Sequence, residues 1–89
     1  MKKIVVFGSK CWPDCQPVKE FLSENNVKFA FIDITESMFN LKMYLKYRDN
    51  RPEFEEFKKN GKIGIPFISI NKGEKLIFDK QPDLNELRD

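Results

Sequence analysis

Lys3-Ile4-Val5-Val6-Phe7-Gly8-Ser9-Lys10-Cys11-Trp12-Pro13-Asp14-Cys15 is the stretch on which the reading of the fold turns. Ile4 to Phe7 is an unbroken run of β-branched and aromatic residues, which predicts a strand covered on both faces, and Gly8-Ser9 ends it. Downstream of the cysteines, Val18, Phe21 and Leu22 recur at helical spacing and Asn25-Asn26 stops the run. An amphipathic helix is therefore expected from Pro13 to about Glu24. Pro13 suits its first position, where a missing N–H costs nothing. Val27 to Ile34 is rich in strand-forming residues and alternates weakly, so a second buried strand is expected, parallel to the first through a right-handed crossover.

Working outward from this β-α-β unit, Met38, Leu41 and Leu45 with Tyr44 and Tyr47 have a helical period from Ser37 to about Arg48, and Thr35 or Ser37 can cap its start. Pro52 opens a short helix with Phe54 and Phe57 as its apolar stripe, Glu53 and Glu55 at its start, and Lys58, Lys59 and Gly61 at its end. Pro66 to Ile70 reads as a third strand, Asn71-Lys72-Gly73-Glu74 as a hairpin turn and Lys75 to Phe78 as a fourth strand. Pro82-Asp83 starts a last helix through Leu84 and Leu87. The order is β-α-β-α-(α)-β-β-α, an α/β fold without repeat or linker, and it puts the cysteines at the carboxyl end of the first strand, where open α/β sheets bind ligands.

Composition limits what such a fold can do. Eighty-nine residues with 40% apolar content build one core, so residues 1–89 are read as a single domain. Lys and Arg outnumber Asp and Glu by only 16 to 14, too even a balance to hold nucleic acid or an anionic membrane. The apolar runs are far shorter than the roughly 20 residues of a membrane-spanning helix. Lys2-Lys3 precedes too few apolar residues for a secretory signal, so the chain is expected to be soluble and cytoplasmic. There is no His, which removes Ser-His and Cys-His nucleophile pairs and the usual structural zinc sets, so no metal site is expected from one chain. The two cysteines, Cys11 and Cys15, point to thiol chemistry.

Their setting says how. A thiolate near a helix N-terminus meets unpaired N–H groups and the positive end of the dipole, which can lower its pKa from about 8.5 to between roughly 3.5 and 7.5. Cys11, ahead of the expected helix cap and beside Lys10, is read as the attacking thiol. Cys15, expected in the third helical position and partly shielded, is read as the resolving thiol. One winding of chain brings the Cα atoms of residues four apart into the upper part of the disulfide range of about 4.4–6.8 Å. Asp14 works against both thiolates while suiting the helix start. Two idle, buried cysteines are the plainer alternative.

These residues resemble the thioredoxin fold and, within it, the glutaredoxins and glutaredoxin-related proteins. The likeness lies in the strand–cysteine–helix junction Trp12-Pro13-Asp14-Cys15, in Gly64-Ile65-Pro66 before the third strand, and in the element order of the whole chain. It departs from the family in spacing: three residues separate the cysteines instead of two, and with Pro13 as the fixed point Trp12 occupies the family's first-cysteine position. The resemblance implies a mixed four-stranded sheet with helices on both faces and a cis Ile65–Pro66 bond facing the cysteines. It also implies that the backbone of Ile65 is open to pair with an extended thiol peptide. For a glutathione-like ligand it implies contacts from Lys10, Trp12, Pro13, Ile65 and Asp83, although the family's paired glycines after the fourth strand are absent. Lys10, Lys80 and Asp83 read equally as solvated surface charges. Trp12 either packs over the reactive site and selects a partner or covers an edge of the core.

The activity implied is reduction of protein or glutathione mixed disulfides by a monomer through Cys11 and Cys15. Pro66 completes the catalytic set, no bound cofactor is needed, and glutathione or another low-molecular-weight thiol is the co-substrate. Two rivals come from other classes. One is a non-catalytic thioredoxin-fold binding module in which Trp12 has replaced the thiol. The other is a metal or iron–sulfur carrier that uses cysteine thiolates across a dimer.

Overall fold

The computed structural model describes residues 2–88. Its strands are β1 (Ile4–Gly8), β2 (Ala30–Asp33), β3 (Phe67–Ile70) and β4 (Lys75–Ile77), and its helices are α1 (Cys15–Glu24), α2 (Met38–Asn50), α3 (Glu55–Lys59) and α4 (Leu84–Leu87), with a 3₁₀ turn at Pro52–Phe54 before α3. The sheet order is β2-β1-β3-β4. β1 runs parallel to β2, with Val6 opposite Phe31, and antiparallel to β3, with Val6 opposite Ile68, while β3 and β4 pair antiparallel across the hairpin. This is the mixed, four-stranded α/β architecture of the thioredoxin fold.

Period-two alternation along the central strands divides the interior into two cores. Ile4, Val6, Ile68, Ile70 and Ile77 face Val18 and Leu22 of α1 and Leu87 of α4. On the other face Phe7, Phe67 and Leu76 meet Tyr44 of α2 and Phe54 of the 3₁₀ turn, with Val5, Ile32, Phe57 and Phe78 packed around them. The second core is aromatic: Phe67 stacks on Phe7 with ring centroids 4.8 Å apart, and Phe54 meets Phe67 and Phe78 edge-on, each at 5.2 Å. Edge-to-face and offset contacts of this kind add to the area they bury.

Several boundaries differ from the sequence reading for identifiable reasons. α1 begins at Cys15, not Pro13, with Asp14 as its N-cap residue. Pro17 dictates this. With Pro13 as first residue, Pro17 would fall where its nitrogen must donate to the Pro13 carbonyl, which proline cannot do; with Cys15 first, it falls among the opening positions whose N–H groups have no intrahelical partner. α1 closes with Asn26 in the left-handed region (φ 60°), its N–H on the Ser23 carbonyl and the Val27 N–H on the Leu22 carbonyl. α3 ends the same way with Gly61 (φ 66°), a conformation that favours glycine.

β2 covers only residues 30–33 and is an edge strand with Ala30 exposed, not the long buried strand the composition suggested. In α2 the buried face runs through Leu41, Tyr44 and Tyr47, whereas Met38 is 79% exposed and Leu45 also reaches solvent. Ser37, not Thr35, caps this helix, accepting the Asn40 N–H at 3.1 Å. Phe39 also points outward, 69% exposed.

Candidate active site at the first strand–helix junction

Two tight turns carry the chain from β1 into α1. The Trp12 N–H donates to the Ser9 carbonyl at 3.0 Å, and the Cys15 N–H donates to the Trp12 carbonyl at 3.1 Å. Cys11 stands on the first of these turns, exposed, with its N–H on Ser9 Oγ at 3.1 Å. Cys15 is only 2% exposed, and its Sγ accepts the Ser9 N–H at 3.3 Å. Burial pushes the Cys15 thiol up; the Ser9 N–H opposes that shift and the charge of Asp14 adds to it. Gly8 makes room for this sulfur, since a Cβ there would lie 2.6 Å from Cys15 Sγ. The start of α1 at Cys15 also reverses one expectation: Cys15 is the first helical residue, and Cys11 lies three residues ahead of the N-cap.

The turn is strapped to the end of β2 by a buried carboxylate. Asp33, 4% exposed, accepts the Lys10 N–H on Oδ2 at 3.1 Å and the Thr35 N–H on Oδ1 at 2.8 Å. The Thr35 hydroxyl donates to the same Oδ1, and Thr35 Oγ1 lies 2.9 Å from Ser9 Oγ, the atom that holds the Cys11 N–H. Burial alone would raise the Asp33 pKa, but the bonds from Thr35 and Lys10, with the Lys10 charge, outweigh it and hold the carboxyl below its ordinary value. A continuous chain of polar contacts thus runs from the second strand to the backbone of Cys11.

Beside the turn lies a cavity of about 490 Å³. Trp12 stands on one side, Ile65 and Pro66 on another, and Phe57, Phe78 and Ile63 complete its apolar lining. The Ile65–Pro66 peptide is cis. The loop that presents these residues is held by Tyr44, whose buried hydroxyl donates to the Ile63 carbonyl. Asp14, Lys62 and Lys80 supply the charges of the lining, and Lys80 Nζ sits 3.1 Å from Asp14 Oδ1.

Of the residues singled out from sequence, the cavity brings together Trp12, Ile65 and Pro66. Cys11, Cys15, Lys10, Pro13 and Asp83 are not in its lining. Pro13 is a turn residue, the side chain of Lys10 is exposed, and Asp83 caps α4 by accepting the Asn85 N–H at 2.9 Å. Lys80, read as a solvated charge, is exposed and pairs with Asp14 at the rim of the cavity. Gly8, Ser9, Asp33 and Thr35 were not identified from sequence; Asp33-Ile34-Thr35 carried a signal, because Asp two residues before Thr favours a side-chain-bonded turn. Among the described residues no three of His, Cys, Asp and Glu gather to hold a metal ion, and no helix is long and apolar enough to cross a membrane.

An uncharacterized protein of Haemophilus influenzae is 31% identical over 88 residues, covering 99% of this chain and 96% of the relative. No solved structure matches. The sequence model described as Glutaredoxin matches residues 4–72, from the first strand through the strand that follows the cis proline into the hairpin. The strand–cysteine–helix junction and the cis proline both fall inside that match, and the chain belongs to the glutaredoxin family of thioredoxin-fold, redox-type domains.

Proposed function

We propose that the protein is a thiol–disulfide oxidoreductase of glutaredoxin type, acting in the cytoplasm as a monomer on protein or glutathione mixed disulfides. The observation that carries this reading is the contrast between its two cysteines: Cys11 is exposed on a braced turn, and Cys15 is buried four residues later against the end of β1. The thiolate of Cys11 attacks one sulfur of the substrate disulfide, the substrate S–S bond breaks, and the first substrate thiolate leaves and takes a proton from water. Cys15, which burial favours as a thiol, gives its proton to solvent as it attacks Cys11 Sγ. The mixed disulfide breaks, the second substrate thiol departs, and a Cys11–Cys15 disulfide remains. Two equivalents of glutathione, or of another low-molecular-weight thiol, reduce it and become oxidised in turn. Pro66 and Ile65 flank the path of the substrate chain.

A second reading, a non-catalytic binding module, draws on Trp12, which lines the cavity where neither thiol does. One experiment separates the two: pH-dependent alkylation of both cysteines with mass mapping, followed by a glutathione-coupled disulfide-reduction assay. The oxidoreductase reading requires Cys11 to react faster than a free peptide thiol and turnover to be lost in Cys11→Ser. Neither thiol reacting faster, together with no turnover, leaves the binding module. Full turnover in Cys11→Ser overturns the assignment of roles.

A further inference from the structure

We infer that the cavity between Trp12 and Pro66 is a side-chain subsite that favours polypeptide disulfides with a large apolar residue next to the reactive cysteine over glutathione. The inference deepens the oxidoreductase reading and rests on it for the disulfide that is attacked. Its first support is the lining. Trp12, 40% exposed, and Ile63, 41% exposed, present apolar surface at the rim, while Phe57, Phe78 and Pro66 supply apolar surface further round. About 490 Å³ lies in the lower part of the ~300–1,000 Å³ typical of small-ligand pockets, which suits one large side chain with its flanking backbone.

The second support is a count of charge. Asp14 and Lys80 neutralise each other at 3.1 Å, so Lys62 is the one further cation among the described lining residues. Glutathione brings two carboxylates, an ammonium group and no apolar side chain. One lysine can answer one carboxylate, and the aromatic walls gain nothing. A neutral peptide segment carrying Phe, Leu or Trp matches both the walls and the charge. Position is the third support. The Ser9 side chain and carbonyl hold the N–H groups of Cys11 and Trp12 at 3.1 and 3.0 Å, fixing the two residues on one turn. A substrate sulfur meeting Cys11 therefore brings its neighbouring side chain beside Trp12.

Trp12 is the chain's single tryptophan, so its fluorescence reports the subsite without chemistry. The probes are acetylated, amidated tetrapeptides with S-methylcysteine next to Phe or next to Asp, in either order, and S-methylglutathione, each titrated into the reduced full chain. At least one Phe peptide is expected to shift the emission and bind about 10-fold or more tighter than its Asp counterpart and than S-methylglutathione, within the ~10–200-fold discrimination of apolar pockets. In turnover, the matching Phe-flanked peptide disulfide should exceed glutathione disulfide in kcat/KM by a similar factor. That ratio should fall toward one in Trp12→Ala and in Ile63→Ser, both at exposed positions. Equal binding of all probes, tighter binding of S-methylglutathione, or a ratio unmoved in both variants overturns the inference. So does Trp12-dependent self-association at assay concentration, since a second copy would then occupy the cavity. Selective binding without turnover keeps the subsite and sinks the oxidoreductase reading; turnover without selectivity does the reverse.

Discussion

Gly8→Ala should destabilise the protein through one atom, Cys15 Sγ, and a double-mutant cycle can isolate that atom. The added methyl would lie 2.6 Å from Cys15 Sγ, 3.2 Å from the Phe31 ring and 3.4 Å from Cys15 Cβ. Unstrained carbon contacts lie at about 3.5–4.0 Å, so the overlap with sulfur is roughly an ångström or more. Neither side can yield: Gly8 is held in register opposite Asp33, and Cys15 is 2% exposed with its sulfur on the Ser9 N–H. Phe31 is half-buried and can move the few tenths it needs. Overpacking of this kind costs about 1–3 kcal/mol, which in a domain of this size lowers Tm by about 4–8 °C per kcal/mol. Cys15→Ala removes the sulfur and leaves the 3.2 Å contact with the movable Phe31 ring and the 3.4 Å contact with the Cβ at position 15, so Gly8→Ala/Cys15→Ala should be about 1–2 kcal/mol more stable than the sum of the single variants. Urea and thermal denaturation under reducing conditions, followed by circular dichroism, give all four corners of the cycle. A Gly8→Ala variant as stable as the parent, or additivity within about 0.5 kcal/mol, would refute the close approach.

Asp33→Asn should cost about 1–3 kcal/mol at neutral pH, because bonds from Thr35 and Lys10 lose a charged acceptor. The sign of its pH dependence follows from a folded-state pKa below the unfolded one: the carboxylate's contribution is complete above about pH 3.9 and is lost as pH falls through the folded value. The acid limb of the stability curve should therefore flatten in the variant, and superimposable acid limbs would show that the strap contributes nothing. Tyr44→Phe should cost about 0.5–1.5 kcal/mol by deleting the bond to the Ile63 carbonyl. It should also speed amide exchange across residues 62–65 more than across β1, and unchanged protection in that loop would count against Tyr44 as its anchor.

Local chemistry made much of this molecule readable in advance. Ile4 to Phe7 could only be a doubly covered strand, and the hairpin residues Asn71, Lys72 and Gly73 do adopt positive φ between β3 and β4. Pro13 alone points to an earlier start of α1 than the one observed, because Pro17 sets the stricter condition. In α2 the periodic set holds for Leu41, Tyr44 and Tyr47 but not for Met38 and Leu45, because periodicity alone does not choose between neighbouring arcs of one helix. The cysteines stand out by type and spacing, and Pro66 through the resemblance. The walls Phe57 and Phe78 reach the site only through tertiary packing, from elements that the chain order does not place beside Cys11, whereas Asp33 ends the strand parallel to β1, beside the cysteine turn.

The sheet's division of the interior has a consequence for how such a protein can change. Cys15 stands on α1, whose Val18 and Leu22 are rooted in the aliphatic core, whereas Ile65, Phe57 and Phe78 are rooted in the aromatic one. The sulfur on α1 and the far walls of the cavity thus have separate foundations, with Trp12 on the turn it shares with Cys11. Substitutions beneath one can accumulate while the other stays put, leaving a lineage free to exchange clients without retuning its sulfur.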